Sequence, residues 1–380
     1  MEQPNPRRRQ QRDTRRSRTA DVANFGPGTR IAGQWMITRK LGEGGCGAVY
    51  EVVSNPRDEQ SPAASSVTQP PSRYQTPSSV DSRLRGRRQQ RYAIKLEGHR
   101  DGKETVLKME YAILKDLNRQ HDKRKRERHC CRLIDAGKER GKRLSFLVMT
   151  LVGPSLSELR RLQPTGRFSL STTILVAKQT LDALRTLHSI GYVHRDVKPS
   201  NFTIGYASER EIRRIYLIDF GLARKFVQRG KDGKQRVREP RRRVNFRGTT
   251  CYCSPTLHDG KEQCPRDDLW SWVYTAIEIH RGLPWSDYSG RRDIIAMKTE
   301  FDDRRLCRQM PTEFVTILAN IRQLYYADKP DYRAIDYLLG RIMRRYDIKK
   351  SAKFDWEIEM EKKWKQRRSP SAYGATGYYD

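Results

Sequence analysis

The stretch His194-Arg195-Asp196-Val197-Lys198-Pro199-Ser200-Asn201, followed by Asp219-Phe220-Gly221, is the most informative part of this chain. Asp196 is a carboxylate that can accept a proton. Asn201 and Asp219 offer the oxygen ligands that Mg²⁺ prefers. This order and spacing predict one site that handles both a proton and bound magnesium.

Length and charge limit the kinds of protein that this chain can be. Its 380 residues allow one large or two medium domains, and its hydrophobic content of 36% predicts that some segments stay unpacked. The formal net charge is +32, which favours acidic partners. These include acidic or phosphorylated proteins, nucleic acid and anionic membrane surfaces, and charge alone does not choose among them.

Cysteine usage and the N-terminus indicate a location inside the cell. The chain has seven cysteines without Cys-x-x-Cys pairs or a Cys/His spacing typical of zinc, so we expect reduced thiols. Residues 7–18 are rich in arginine, and no apolar signal sequence is present. No run of about 18 apolar residues is available to span a membrane. We therefore expect a cytoplasmic protein, with the nucleus as the alternative, and no membrane span.

Composition along the chain predicts one folded domain with flexible additions. Residues 1–34 are interpreted as a disordered basic N-terminal arm, residues 35–355 as the domain, and residues 356–380 as a loose tail. Residues 54–90 are rich in serine and proline, and we interpret them as a disordered surface insertion within the domain. The basic run 123–126 predicts a solvated loop, with a nuclear-import signal as the alternative.

Residue periodicity predicts strands first and helices later. Predicted strands cover residues 35–38, 92–96, 131–134, 144–149 and 215–218, with a turn at 136–141. An early helix is predicted to bury the stripe Val106, Met109, Ile113 and Leu117. A later helix, capped by Ser171 or Thr172, is predicted to bury Ile174, Ala177, Leu181, Leu184 and His188. The pattern predicts an α+β fold of two lobes joined by one hinge near Gly153.

A glycine-rich segment between two predicted strands indicates phosphate binding. Gly42, Gly44, Gly47 and Val49 form Gly-x-Gly-x-x-Gly-x-Val, in which glycines allow backbone amides to approach phosphates closely. Alone this signal is weak, because glycine-rich hairpins are common. Lys95, in Tyr-Ala-Ile-Lys on a following strand, makes it strong.

From about residue 35 to 355, the chain resembles a protein kinase of the casein kinase 1 group, most closely its tau-tubulin kinase branch. The stretches that carry this resemblance are 170–173, 194–202, 219–224, 246–249, 267–271, 283–285, 329–332 and 354–357. The insertion at 54–90 and Tyr252-Cys253-Ser254, where relatives often have Tyr-Ala-Ser, depart from the group. The resemblance implies a two-lobed kinase fold, with a small antiparallel-sheet N-lobe containing one main helix and a mainly helical C-lobe.

The resemblance also implies roles for individual residues, with ATP and Mg²⁺ as cofactors. Asp196 would orient the acceptor hydroxyl, Lys198 would steady the transferred phosphate, and Lys95 would hold the α- and β-phosphates. Lys95 would pair with Glu110, for which Glu104 is a rival. Asn201 and Asp219 would hold the metal. The predicted ATP-binding residues are Leu41, Gly42, Glu43, Gly44, Gly45, Cys46, Gly47, Ala48, Val49, Lys95, Met149, Thr150 and Val152.

A basic segment follows the Asp-Phe-Gly motif and suggests the kind of substrate. From Arg224 through Arg247 there are eleven Lys or Arg residues and two acids. The group resembled here favours acidic or phosphorylated sites, so we expect Arg241, helped by Arg242 and Arg243, to contact such a substrate residue. Thr249 is expected to brace Asp196 and Lys198. A solvated loop with non-specific positive charge is the alternative.

The sequence therefore predicts a monomeric serine/threonine protein kinase that acts on acidic or phosphorylated proteins. Two other classes stay open. A catalytically inactive pseudokinase scaffold is disfavoured because Lys95, Glu110, Asp196, Asn201 and Asp219 are all present. A basic nucleic-acid-binding protein is disfavoured because no module with stacking aromatics is recognisable.

Overall fold

The computed structural model describes residues 24–44, 47–54, 90–98, 106–124, 129–139, 142–206 and 211–359. The chain divides into two compact units. The sheet unit contains the described residues up to 107 together with 133–151, and the helical unit contains 108–132 and the described residues from 152 onward. No helix in these described ranges is both long and apolar enough to cross a membrane.

The sheet unit is built on one antiparallel sheet of six strands. The strands are β1 (Arg30–Ile31), β2 (Trp35–Gly44), β3 (Gly47–Ser54), β4 (Arg91–Gly98), β5 (Leu133–Glu139) and β6 (Leu144–Thr150). Their order across the sheet is β1-β2-β3-β4-β6-β5. Because side chains alternate along a strand, one face collects the apolar residues. This core includes Trp35, Ile37, Tyr50, Val52, Ile94, Leu96, Phe146 and Val148.

Strand register places residues of the glycine segment and Lys95 side by side. Val49 pairs with Gly42 of β2 on one side and with Lys95 of β4 on the other. Residues opposite each other in an antiparallel pair point to the same face, so Val49 and Lys95 share a face. That face is opposite the apolar core, since Tyr50, Ile94 and Leu96 alternate with them along the strands.

The helix α1 (Val106–Arg124) buries two of the four residues that the sequence predicts to be buried, Ile113 and Leu117. The carboxylate of Glu97 accepts hydrogen bonds from the backbone N–H groups of Val106 at 3.1 Å and Leu107 at 3.0 Å, and so caps the helix start. Met109, predicted to be buried, is 38% exposed, whereas Glu110 is buried at 2%. The predicted stripe is therefore confirmed in the second half of the helix, whereas in the first half Leu107 and Glu110 take the buried positions.

Two predicted boundaries within secondary structure are also wrong. Residues 136–139, predicted as a turn, belong to strand β5. Gly137 pairs with Phe146 of β6, and a Cβ at Gly137 would lie 2.8 Å from the Phe146 ring. The glycine therefore makes room for its aromatic neighbour within the strand, and does not mark a turn. The long helix α3 begins at Leu170, after Ser169, whose Oγ accepts a hydrogen bond from Thr172 N at 3.2 Å. The cap is therefore Ser169 and not Ser171 or Thr172.

The helical unit combines short strands near its start with helices over the rest of its length. The strands are β7 (Val152–Ser155), β8 (Tyr192–Val193), β9 (Phe202–Gly205), β10 (Ile215–Leu217), β11 (Arg224–Lys225), β12 (Val227–Arg229) and β13 (Gln235–Val237). The helices after α1 are α2 (Leu156–Arg161), α3 (Leu170–Ser189), α4 (Pro255–His258), α5 (Pro265–Arg281), α6 (Arg291–Glu300), α7 (Asp303–Leu306), α8 (Glu313–Arg322) and α9 (Tyr332–Arg345). The predicted order of strands before helices is confirmed.

Helices α3 and α5 form the core of the helical unit. The predicted face of α3 is buried, including Leu181, Leu184 and His188. The indole Nε1–H of Trp272 on α5 donates to Thr180 Oγ1 of α3 at 2.9 Å, so the buried polar atoms of this contact satisfy each other. The packed helices α3 and α5 therefore form a support for the loop that carries the predicted site residue Asp196.

The packed part of the chain is longer at both ends than composition predicts. Ile31 is fully buried and pairs with Trp35, so the predicted basic arm ends before β1 and not at residue 34. Trp356, assigned to the tail, is 1% exposed, and its Nε1–H donates to the backbone oxygen of Ile212 at 3.0 Å. Composition missed both segments because a few apolar anchors are enough to bury a polar stretch. Residues 55–89, most of the predicted insertion, lie outside the described residues.

Candidate active site

The hairpin of β9 and β10 brings two of the predicted metal ligands to one end of a sheet. Phe202 pairs with Leu217 in this antiparallel hairpin. Asn201 directly precedes β9 and Asp219 follows β10 by one residue, and Ile218 N donates to Asn201 O at 3.0 Å. Asn201 and Ile218, seventeen positions apart in the sequence, meet because the start of β9 lies beside the end of β10. Asp219 directly follows Ile218, so it is brought to the same end of the hairpin.

Asp196 lies at the centre of a hydrogen-bonded cluster. Its Oδ2 is 2.8 Å from Lys198 Nζ, and its Oδ1 accepts from Thr249 Oγ1 at 2.7 Å. Lys198 Nζ in turn donates to Thr249 Oγ1 at 3.0 Å. Asn201 Nδ2 donates to the backbone oxygen of Asp196 at 2.8 Å and to its Oδ2 at 3.3 Å. Four predicted site residues therefore hold one another, with the Asp196 side chain still 10% exposed.

The approach of Thr249 to Asp196 depends on a glycine. Gly248 has a φ of 112°, and a Cβ at this position would lie 2.6 Å from the backbone oxygen of Arg195. Only a residue without a side chain allows the two loops to come this close. The sequence motif Gly248-Thr249 therefore combines a close backbone contact with a hydroxyl that fixes the Asp196 carboxylate.

Asp268, on the buried helix α5, holds the backbone of the loop that carries Asp196. Its carboxylate accepts from His194 N at 2.6 Å, from Arg195 N at 2.9 Å and from His188 Nε2 at 2.8 Å. Burial alone would raise the pKa of Asp268, but these hydrogen bonds and the neighbouring histidines lower it. The carboxylate thus stays charged and keeps Arg195 in its left-handed conformation, with a φ of 68°.

The adjacent residue of the same helix holds the other end of the Thr249 loop. Asp267 Oδ1 accepts from Ser254 Oγ at 2.5 Å and from Thr256 Oγ1 at 2.6 Å. Two consecutive carboxylates on one helix therefore position two separate loops of the site.

Around Arg195, several arginines share one buried carboxylate. Arg241 Nη2 donates to Glu262 Oε1 at 3.0 Å while its Nε donates to Oε2, and Arg224 Nε lies 3.7 Å from Glu262 Oε1. Burial and the charges of Arg247 and Arg224 lower the pKa of Arg195 to about 10, which the charge of Glu262 opposes. Arg241, Arg242 and Arg243 are all exposed, but Arg241 is also held by an internal partner, Glu262.

The sheet unit carries all but one of the described residues that are predicted to bind ATP. Leu41, Gly42, Glu43 and Gly44 lie at the end of β2, Gly47, Ala48 and Val49 begin β3, and Lys95 lies on β4. Met149 and Thr150 end β6, and Val152 begins β7 in the helical unit. Gly45 and Cys46 lie outside the described residues, as does Glu104. Lys95 and Glu110 belong to different units, and their ion pair stays a prediction.

Gly47 is the glycine of this segment whose replacement we expect to be costly. Its φ is 144°, and a Cβ would lie 2.0 Å from the backbone oxygen of Leu96, whereas a Cβ at Gly44 meets nothing within 4 Å. We expect Gly47→Ala to lower the free energy of unfolding by about 2–4 kcal/mol, because backbone strain and overlap add. Urea unfolding of Gly47→Ala beside the control Gly44→Ala measures this. Equal stability of the two variants would contradict it.

Sequence reasoning missed the supporting carboxylates of the site. Asp267 and Asp268 were noted only as part of a resembling stretch, and Glu262 was not singled out at all. Both acids lie in the first turn of α5, where acidic residues are common because they favour the helix dipole, so the sequence alone does not indicate that they are buried. Glu262 offers no signal either, since only the tertiary structure brings Arg224 and Arg241 to it.

Comparison with known proteins establishes the class to which this fold and site belong. A model of the protein kinase domain matches residues 76–325 of the chain. The chain belongs to the protein kinase family. The predicted two-lobed kinase fold, a strand-rich N-lobe followed by a helical C-lobe, is thereby confirmed.

The individual relatives found are serine/threonine kinases by name. A probable serine/threonine-protein kinase of Dictyostelium discoideum is 34% identical over 88% of this chain and 59% of its own length. A putative serine/threonine-protein kinase of Caenorhabditis elegans is 32% identical over 88% of this chain and 85% of its own length. The serine/threonine-protein kinase spe-6 of the same organism is 34% identical over 70% of this chain and 69% of its own. The chain thus spans under two thirds of the Dictyostelium relative.

Proposed function

We propose that this protein is an active serine/threonine kinase that transfers the γ-phosphoryl group of ATP to hydroxyl groups of proteins. The observation that carries the proposal is the cluster of Asp196, Lys198, Thr249 and Asn201, joined by hydrogen bonds of 2.7–3.3 Å. A scaffold without catalysis would not need a carboxylate held by three different side chains, one of them the partly buried Lys198.

The arrangement supports a direct, in-line transfer. Asp196 would accept a hydrogen bond from the substrate hydroxyl, orient its oxygen and take its proton as the new oxygen–phosphorus bond forms. Asp196 and Thr249 hold the ammonium group of Lys198 in place. From this position Lys198 would neutralise negative charge on the transferred phosphoryl group. Catalysis would then depend on positioning and electrostatics and not on a covalent intermediate.

The residues present fit ATP and a divalent cation. Asn201 turns its Nδ2 toward Asp196, which leaves its Oδ1, a ligand of the kind that Mg²⁺ prefers, on the other side of the amide. Asn201 and Asp219 would hold the metal, and Lys95 with the glycine segment of the sheet unit would hold the phosphates. Bound magnesium would supply charge neutralisation to the phosphates.

Within the family we propose the casein kinase 1 group and its tau-tubulin kinase branch. The stretches at 194–202, 246–249 and 354–357 support this assignment, and Trp356 of the last stretch is a buried anchor of the helical unit. We further propose that the protein is a monomer, because the proposed site needs no residue from a second chain. We also propose that it acts in the cytoplasm or nucleus, since its cysteine pattern is typical of reduced thiols.

We also propose a preference for acidic or phosphorylated substrates. Arg242 and Arg243 are exposed and make no ion pair with the described residues, so their guanidinium groups are available to a substrate anion. Arg241, engaged by Glu262, would contribute mainly by holding this segment in place. Arginine suits carboxylate and phosphate equally because its planar group can donate two parallel hydrogen bonds.

Peptide kinetics test this preference. We expect the double variant Arg242→Ala/Arg243→Ala to raise KM for an acidic or phosphorylated peptide about 3- to 10-fold, since each exposed charge pair contributes up to about 1 kcal/mol. The KM for a neutral peptide should stay unchanged. Arg333→Ala/Arg341→Ala, which removes two exposed arginines of α9, is the matched control. Equal rates of the wild type on acidic and neutral peptides would reject the preference.

A further inference from the structure

Lys298, on helix α6, is a buried lysine whose ammonium group binds a loop of the proposed site. Its side chain is nearly enclosed, with the residue 8% exposed. Nζ donates to the backbone oxygen of Thr250 at 2.7 Å and to that of Cys253 at 2.8 Å. A lysine outside the motifs predicted from sequence thus binds two carbonyl groups of one short loop.

The surroundings of Lys298 stabilise its charge without a carboxylate. Nζ lies 5.0 Å from the ring centroid of Tyr274 and 5.4 Å from that of Trp285, which are cation–π distances. Lys298 makes no ion pair with the part of the chain that the structure describes. Burial lowers its pKa to about 8, which the neighbouring Cys253 and Cys251 oppose. Burying an ammonium group costs free energy, which its hydrogen bonds to the two backbone carbonyl groups offset.

The loop that Lys298 binds, residues 249–254, starts at the proposed catalytic carboxylate. Thr249 donates to Asp196 at 2.7 Å at one end of the loop, and Ser254 donates to Asp267 at 2.5 Å at the other. Between these ends, Trp285 Nε1 donates to the backbone oxygen of Cys251 at 2.9 Å. Lys298 and Trp285 therefore supply the contacts that shape the middle of the loop.

We propose that Lys298 is a positioning residue that holds the 249–254 loop in the shape required to seat the protein substrate beside Asp196. This inference rests on the proposed kinase function. Lys298 does not contact Asp196, so its effect on transfer would pass through the backbone of residues 250–253. Without it, two carbonyl groups lose their donor and the loop loses the contact that bridges its ends.

Binding and kinetic measurements on Lys298→Met test the proposal. We expect the Kd for an acidic peptide, measured by fluorescence anisotropy, and the KM for that peptide to rise about 10-fold or more, because charged hydrogen bonds are lost. The KM for ATP should stay within about twofold of wild type, since none of the predicted ATP-binding residues lies in the 249–254 loop. Lys298→Arg, which keeps a charged donor, should recover part of the peptide affinity, and Lys329→Met, at an exposed lysine, should match wild type.

The outcomes separate this inference from the proposed function. Equal peptide Kd for wild type and Lys298→Met, or a parallel rise in KM for ATP, would overturn the role of Lys298. Absence of transfer by the wild type would instead reject the kinase proposal, while the peptide Kd values would still report on the loop. If Lys298→Met does not fold, Trp285→Phe removes the hydrogen bond to Cys251 and alters the ring beside Lys298, and a peptide Kd unchanged in that variant would also count against the proposal.

Discussion

Replacement of Asp196 by asparagine is expected to lower the rate of phosphoryl transfer by about 10²- to 10⁴-fold, the contribution of a well-placed general base. Asparagine cannot accept the proton of the substrate hydroxyl. It also loses the charge that holds Lys198 at 2.8 Å, while the shape of the site is preserved. Because the predicted nucleotide contacts lie elsewhere in the chain, the affinity for ATP should change little.

Incorporation of radiolabelled phosphate into an acidic protein substrate measures this effect, with nucleotide affinity determined in parallel by calorimetry. Asp347→Asn, at an acid whose side chain is 87% exposed, is the control for the loss of one negative charge. Transfer by Asp196→Asn at the wild-type rate would show that another group orients the hydroxyl. A wild-type protein that binds ATP but transfers nothing would favour the pseudokinase scaffold.

The largest effect on stability is expected for Asp268→Ala. This substitution removes the acceptor for three buried donors, the backbone N–H groups of His194 and Arg195 and the Nε2 of His188. Each unsatisfied buried donor costs about 1–3 kcal/mol, so we expect the free energy of unfolding to fall by about 3–5 kcal/mol. This is a large share of the 5–15 kcal/mol that is typical for a folded domain.

Urea denaturation measures the loss, and Asp182→Ala provides the control. Asp182 forms an exposed ion pair with Arg185 on helix α3, which should contribute about 1 kcal/mol at most. Asp268→Asn should be intermediate, because its amide keeps one acceptor but presents a donor to another donor. Similar unfolding midpoints for Asp268→Ala and Asp182→Ala would show that the catalytic loop does not depend on this carboxylate.

Local patterns were enough to predict the family and the order of the elements. The segments around Asp196, Asp219 and Lys95 combine side chains of defined chemistry at fixed spacing, and this spacing can be read from the sequence without knowledge of the fold. The strands of the sheet unit alternate apolar residues with a period of two, and helix α3 repeats them at helical spacing. These signals depend on neighbours along the chain, so they are visible in one sequence.

Predictions failed where burial depends on distant partners. Met109 was expected to be buried and is exposed, while Glu110, a charged residue, is buried in the same helix. The arginine-rich stretch at residues 7–18, upstream of β1, concealed Ile31, and the polar end of the described chain concealed Trp356. In each case one or two anchors, and not the average composition, determine what packs.

The sequence by itself determined which groups are the proposed reacting groups, because the order and spacing of a carboxylate, a lysine and an amide along the chain do not depend on its conformation. Only the tertiary structure decided which residues hold them in place. Asp268, Glu262 and Lys298 act on groups between 21 and 80 positions away in the sequence, through hydrogen bonds no longer than 3.0 Å. Hydrogen bonds need such distances, and folding alone creates them between remote segments.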